Sequence, residues 1–161
     1  MYAERPNVLA IGECGLDKIT ATPFELQQEV FVLHLQLADL LKKPLIIHCV
    51  KAYDEVLRLL KQYDPGVPVV FHGFNKSVQQ AEQLIHAGHY LSFGEALKEE
   101  RQQATFSRLP VERLFLESDD SKLPIQDIYR FAAASRQVSE ETLSLQLQKN
   151  VARVFGTEFQ S

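Results

Sequence analysis

The sequence predicts an α/β fold in which parallel strands alternate with helices. Five short, nearly continuous apolar runs lie at 8–12, 44–48, 68–72, 89–93 and 113–117, each of strand length and suited to burial on both faces. Between them run longer segments with apolar residues at helical spacing. Strand–helix–strand order implies parallel strands joined by right-handed crossovers. A closed eight-stranded barrel takes about 250 residues, whereas this chain has 161. Counting alone therefore favours an open, doubly wound sheet.

The helices follow in order. Thr22-Pro23-Phe24-Glu25 reads as a capping box, with Pro at the first helical position. Leu26, Val30, Leu33, Leu37 and Leu40 then form one expected buried stripe. Lys42, Lys43 and Pro44 close that helix. A second helix is expected over 51–62, with Val56, Leu59 and Leu60 inward. A third runs from Ser77 to about Ala87, with Ala81, Leu84 and Ile85 inward and Gly88 closing it. The pattern over 97–108 is weaker. Two more helices are expected at 124–135 and 139–154, the last with Glu140 and Glu141 in its first turn.

Length and composition point to a single soluble domain over 1–161: 45% of residues are hydrophobic and 24% charged. The net charge of −4 excludes a generally basic nucleic-acid coat but not a local grip on a few phosphates. The longest apolar run is four or five residues, far below the ~20 of a membrane helix, so no membrane partner is expected. The first residues do not read as a signal peptide, and two cysteines do not make a disulfide scaffold. A cytoplasmic location follows as the expectation.

Each apolar run ends on an ionisable group: Glu13, His48, His72, Glu95, and Glu117 with Asp119. In α/β folds the carboxyl ends of parallel strands form the functional edge. Two histidines with Glu13 and Asp119 make a donor set suited to Zn²⁺, Mn²⁺ or Mg²⁺. Glu95 and Glu117 rank lower, the first as a loop acid and the second because Asp119 looks better placed. His34, His86 and His89 read as a helix packing residue, a helix-end residue and a residue at the opposite strand edge. Cys14 and Cys49 read as small buried filler. No Gly-rich dinucleotide motif, phosphate loop, serine-hydrolase elbow or zinc-finger spacing occurs.

The ordered segments Ala-Ile-Gly-Glu-Cys-Gly-Leu-Asp (10–17), Pro-Leu-Ile-Ile-His-Cys-Val-Lys-Ala (44–52), Phe-His-Gly-Phe (71–74), Tyr-Leu-Ser-Phe (90–93) and Leu-Phe-Leu-Glu-Ser-Asp (114–119) resemble the motifs of the TatD-type deoxyribonucleases. Asn-Val-Ala-Arg-Val-Phe-Gly (150–156) is similar to that family's C-terminal helix signature. The resemblance implies an amidohydrolase-superfamily metal-dependent hydrolase on a distorted (β/α) barrel, acting on DNA. By it, Glu13 is shared between two metals, His48 and His72 ligate the second, and Asp119 ligates the first and orients or deprotonates the attacking water. A divalent ion lowers the pKa of bound water from ~15.7 toward ~7. Lys51 is the candidate phosphate contact, with Lys18 and Lys76 weaker ones.

The family's His-x-His strand and a further strand–helix unit have no counterpart here. The resemblance thus implies an incomplete TIM-like barrel missing about two N-terminal βα units. One metal position keeps Glu13, His48 and His72, and the other keeps only Glu13 and Asp119. The strand at 8–12 is then left with an unpaired apolar edge, which predicts either a shortened chain or self-association. Two other functions stay open: a catalytically impaired binding or assembly module, and an amidohydrolase acting on a small amide or ester.

Overall fold

A computed structural model describes residues 2–156. Five strands, β1 (Ile11–Asp17), β2 (Leu45–Val50), β3 (Val69–Phe71), β4 (Tyr90–Phe93) and β5 (Leu114–Leu116), make a parallel sheet in chain order. The helices are α1 (Phe24–Leu41), α2 (Tyr53–Tyr63), α3 (Val78–His86), α4 (Glu100–Arg108), α5 (Ile125–Arg136) and α6 (Glu140–Phe155). No helix among the described residues is long and apolar enough to cross a membrane. The chain divides into two compact units, Met1–Phe71 and His72–Ser161.

In the first unit, β1 pairs with β2 and β2 with β3, and the core is built from Leu16, Phe31, Leu35, Leu45, Ile47, Val56 and Phe71. Three expectations need correction. The first strand begins and ends later than 8–12, so Glu13 lies within β1 rather than beyond it. The register breaks between Ile11 and Cys14, and the Gly12–Glu13 peptide is cis. Glu13 therefore sits exposed at an irregularity in the ladder. Second, the Thr22 capping box does not form. Pro23 takes the cap, its carbonyl accepting from the Gln27 N–H (3.1 Å), while the Gln27 side chain donates to the Thr22 carbonyl (2.8 Å). Third, α1 buries Phe31, Leu35 and Ala38, spaced i, i+4, i+7. Leu26, Val30, Leu33 and Leu40 are 43–74% exposed. α1 is apolar on more than one face, and β1 covers only one.

The second unit pairs β4 with β5 and packs α4 on α5 and α5 on α6. Phe74, Phe93 and Phe106 pack in sequence, the first pair tilted and the second edge-to-face, each successive pair of ring centroids 5.3 Å apart. α3, α5 and α6 start within a residue or two of expectation, and Ser77 and Ser139 cap α3 and α6 as N-cap acceptors. Asn150 of the C-terminal signature is fully buried. Its amide donates to the Val111 and Leu114 carbonyls (2.7 and 2.8 Å) and its oxygen accepts from Gln146 (3.0 Å). That motif residue pins α6 to the start of β5.

Candidate metal centre

Glu13 and His48 meet in the first unit, with ligand atoms within 4.8 Å of each other. His48 lies opposite Gly15 in the β1–β2 ladder. Gly15 has φ +144°, and a Cβ there would stand 1.9 Å from the His48 carbonyl oxygen. Only glycine lets the two strands approach this closely. His48 Nε2 is 3.6 Å from Asp17 Oδ2. Gln27 holds the Asp17 backbone from both sides, accepting from its N–H (2.8 Å) and donating to its carbonyl (3.0 Å). Glu13, Asp17 and His48 line a cavity of about 520 Å³ whose other wall is the α1 face carrying Leu26, Val30 and His34.

His72, Glu117 and Asp119 meet in the second unit, their ligand atoms within 4.8 Å of one another. His72 follows β3 directly, while Glu117 and Asp119 follow β5. Glu117 Oε1 accepts from the Gly73 N–H (2.7 Å) and lies 3.5 Å from His72 Nδ1. Gly73 reaches this position at φ +60°. Burial by itself would raise the Glu117 pKa. The His72 ring, the Ser92 hydroxyl and the Gly73 N–H outweigh it and hold the carboxyl below its ordinary value. Asp119 is exposed, in a left-handed conformation (φ +44°) beside the turn closed by Ser121 N–H on the Ser118 carbonyl (2.9 Å). A carboxylate thus anchors the imidazole from one nitrogen, as in carboxylate–histidine–metal triads.

The remaining candidates separate cleanly. Glu95 is engaged by Lys98 and by the Ser121 hydroxyl, which lower its pKa. Lys51 stands in the loop after β2, at φ +55°, and not within the following helix, which begins at Tyr53. Lys18 pairs with Glu55 and lies 5.5 Å from the Phe24 ring centroid. Both cysteines are buried and neither is in a disulfide, and burial pushes the Cys14 thiol up to about 12, which keeps it protonated and inert. Pattern does not single out Asp17, beside His48, and it places Glu117 below Asp119. The only sequence signal for Asp17 is its place at the end of the Gly-Leu-Asp motif.

Each unit thus sets histidine and carboxylate side chains at or near parallel-strand ends, the donor types that divalent metals take. The chain belongs to the TatD related DNase family, which matches residues 1–156. It is 34% identical over 123 residues to YjjV of Escherichia coli K12, an uncharacterized metal-dependent hydrolase, covering 74% of this chain and 48% of that protein. It is 32% identical over 180 residues to a 3'-5' ssDNA/RNA exonuclease TatD of Klebsiella pneumoniae, covering 97% of this chain and 68% of that one. The crystal structure of the Escherichia coli TatD homologue YjjV superposes with a TM-score of 0.85 at 28% identity, over 93% of this chain and 64% of that one. A TatD-family hydrolase from Entamoeba histolytica shares the fold (TM-score 0.82) at 19% identity. The chain spans about half to two-thirds of the length of these relatives. Its five parallel strands are part of a (β/α) barrel, which corrects the open sheet that counting favours.

Proposed function

We propose that the protein is a divalent-metal-dependent hydrolase of nucleic-acid phosphodiester bonds, with DNA as substrate. Glu13, His48, His72 and Asp119 are the side chains assigned to hold the cation or cations. The carboxylate and imidazole donors suit Zn²⁺, Mn²⁺ or Mg²⁺. Family membership and the naming of relatives as ssDNA/RNA exonucleases support the substrate class.

The observation that carries the reading is the His72–Glu117–Asp119 group. With Nδ1 facing the Glu117 carboxylate, the His72 ring keeps its proton on that nitrogen and leaves the Nε2 lone pair for a ligand. Glu117 stays ionised and fixed because the Gly73 N–H holds it. Asp119 is exposed and so is the carboxylate able to orient a water and accept its proton. Glu13 and His48 add a second carboxylate–imidazole pair, and Lys51 is assigned to the substrate phosphate. When bound, a divalent cation supplies Lewis-acid stabilisation of phosphoryl charge and a more acidic water.

Metal analysis of the purified chain, with hydrolysis of end-labelled single-stranded DNA by it and by Asp119→Ala, tests this. Bound metal with cleavage lost in Asp119→Ala is expected. Metal without cleavage by the unaltered chain refutes the nuclease reading and favours a binding module. Cleavage of a small amide or ester with the DNA left intact moves the assignment to another amidohydrolase chemistry.

A further inference from the structure

We propose that a groove in the second unit guides the phosphate backbone of single-stranded nucleic acid to the His72–Asp119 group. Three cavities adjoin one another there. The first, about 130 Å³, lies beside Glu117 and Asp119 and shares Asn75, Glu95 and Ala96 with the second, of about 480 Å³. The second shares Arg101 with a third of about 250 Å³, whose far end carries Arg108. The outer two cavities are lined by four cations, Lys76, Lys98, Arg101 and Arg108, against two carboxylates, Glu95 and Glu99. In a chain of net charge −4, this excess of positive charge is confined to the outer two cavities, whereas the inner one is lined by the carboxylates Glu95, Glu117, Asp119 and Asp120.

The placement is built rather than scattered. Arg101 and Arg108 are seven residues apart on α4, two helical turns, and so share one exposed face. Their spacing along the axis is about 10 Å. The fully buried Gln102, next to Arg101 in α4, donates to the Lys76 carbonyl (3.1 Å), clamping the loop that carries Lys76 against the helix. The ion pairs of the two acids are exposed, Glu95 with Lys98 and Glu99 with Arg101 at 3.9 Å, while Glu95 also accepts from the Ser121 hydroxyl at 2.8 Å. Exposed pairs of this kind are weak and yield readily to phosphate. A solvated cationic helix face is common by itself. Here the face lines cavities that follow one another, through shared residues, toward the candidate ligands Glu117 and Asp119.

The inference rests on the nuclease reading for what happens at the groove's inner end, but its binding arm is independent of it. Fluorescence anisotropy with a labelled twelve-nucleotide oligothymidylate, in EDTA to prevent cleavage, is the test. The Arg101→Gln/Arg108→Gln double variant is compared with Lys61→Gln/Lys149→Gln, which removes the same charge from α2 and α6. The groove variant is expected to bind about tenfold or more weakly at low salt, with a log–log salt slope smaller by about 1.4. The α2/α6 variant is expected to match the unaltered chain. Equal weakening in both variants, or in neither, overturns the inference. If the unaltered chain hydrolyses bis(p-nitrophenyl) phosphate with Mn²⁺ but does not bind the oligonucleotide, the groove fails and the hydrolase reading stands. Groove-dependent binding without diester hydrolysis under any divalent metal leaves the groove standing and removes the hydrolase.

Discussion

Glu117 offers the sharpest test of how the candidate centre is held. Its Oε1 atom accepts from Gly73 N–H at 2.7 Å and faces His72 Nδ1 at 3.5 Å, so one oxygen fixes both a backbone turn and a ring. Glu117→Ala removes that oxygen and leaves the ring free to change tautomer and rotate. Glu117→Gln keeps an acceptor oxygen in the same place and removes only the charge. Loss of such an outer carboxylate lowers metal affinity by about 10–100-fold, or about 1.4–2.7 kcal/mol. The alanine variant should fall in that range, and the glutamine variant should lose only a few-fold. Isothermal titration with Zn²⁺ at neutral pH reads both values, while circular dichroism confirms that each variant is folded. Equal affinity in Glu117→Ala and the unaltered chain would refute the orienting role. A Gln variant as weak as Ala would show that Glu117 is itself a ligand, since an amide oxygen is a poor substitute for a carboxylate on a cation.

Three further outcomes follow from packing and charge. His89 is half-buried, and desolvation, aided by Arg113, pushes its pKa down to about 4. The unfolded chain therefore binds the extra proton between that value and about 6.5, and stability falls as pH drops through this window. Between about pH 7.5 and about pH 4.5 the loss from this group is about 2–3 kcal/mol. Urea unfolding of His89→Gln should show that much less acid sensitivity, and an unchanged pH dependence would contradict it. Gly15→Ala forces a Cβ against the His48 carbonyl oxygen and should cost about 2–4 kcal/mol in denaturant unfolding; a cost below about 1 kcal/mol, or the stabilisation that Gly→Ala gives in an ordinary helix interior, would mean that β1 and β2 need not sit so close. Asn150→Ala strips the amide partner from two carbonyls at the start of β5 and should cost about 2–4 kcal/mol, with a near-neutral result showing that water satisfies them instead.

The helices were legible because their signals are local. Ser77 and Ser139 cap helices where the serine and the following apolar spacing say they should. α1 shows where such reading stops. Residues 24–41 carry apolar side chains around most of the helix, so periodicity alone admits several stripes. Tertiary packing on β1 selects Phe31, Leu35 and Ala38, and Leu33 and Leu40 are left facing outward. The start of β1 was misplaced for a related reason. Val8 to Ile11 is the most apolar stretch, but only Ile11 of it joins the ladder, which resumes at Cys14 and runs to Asp17 after an irregularity that no hydropathy pattern encodes. The exposed α1 face bears on the self-association expected from an unpaired β1 edge: Leu33→Glu should then reduce any concentration-dependent dimer in sedimentation velocity, and a chain that stays monomeric at all concentrations would remove that expectation.

The candidate site was legible to the extent that its residues lie near strand ends. One ionisable residue after an apolar run is an ordinary polar cap; Glu13, His48, His72 and Asp119 stand out as candidates because four such groups follow apolar runs toward the functional edge of a parallel sheet. What stayed hidden was the division of labour between Glu117 and Asp119. Chain order ranks Asp119 higher because it lies farther beyond the strand. The structure separates the two by burial. The Glu117 side chain is 18% exposed and bonded to a backbone N–H 44 residues earlier, whereas Asp119 is open to solvent. A carboxylate held by a fixed backbone donor keeps its charge and geometry, and so suits orienting a ring. A carboxylate facing water can exchange protons with it. The donor that decides this, Gly73 N–H, is a main-chain group, and main-chain groups leave no trace in a residue pattern.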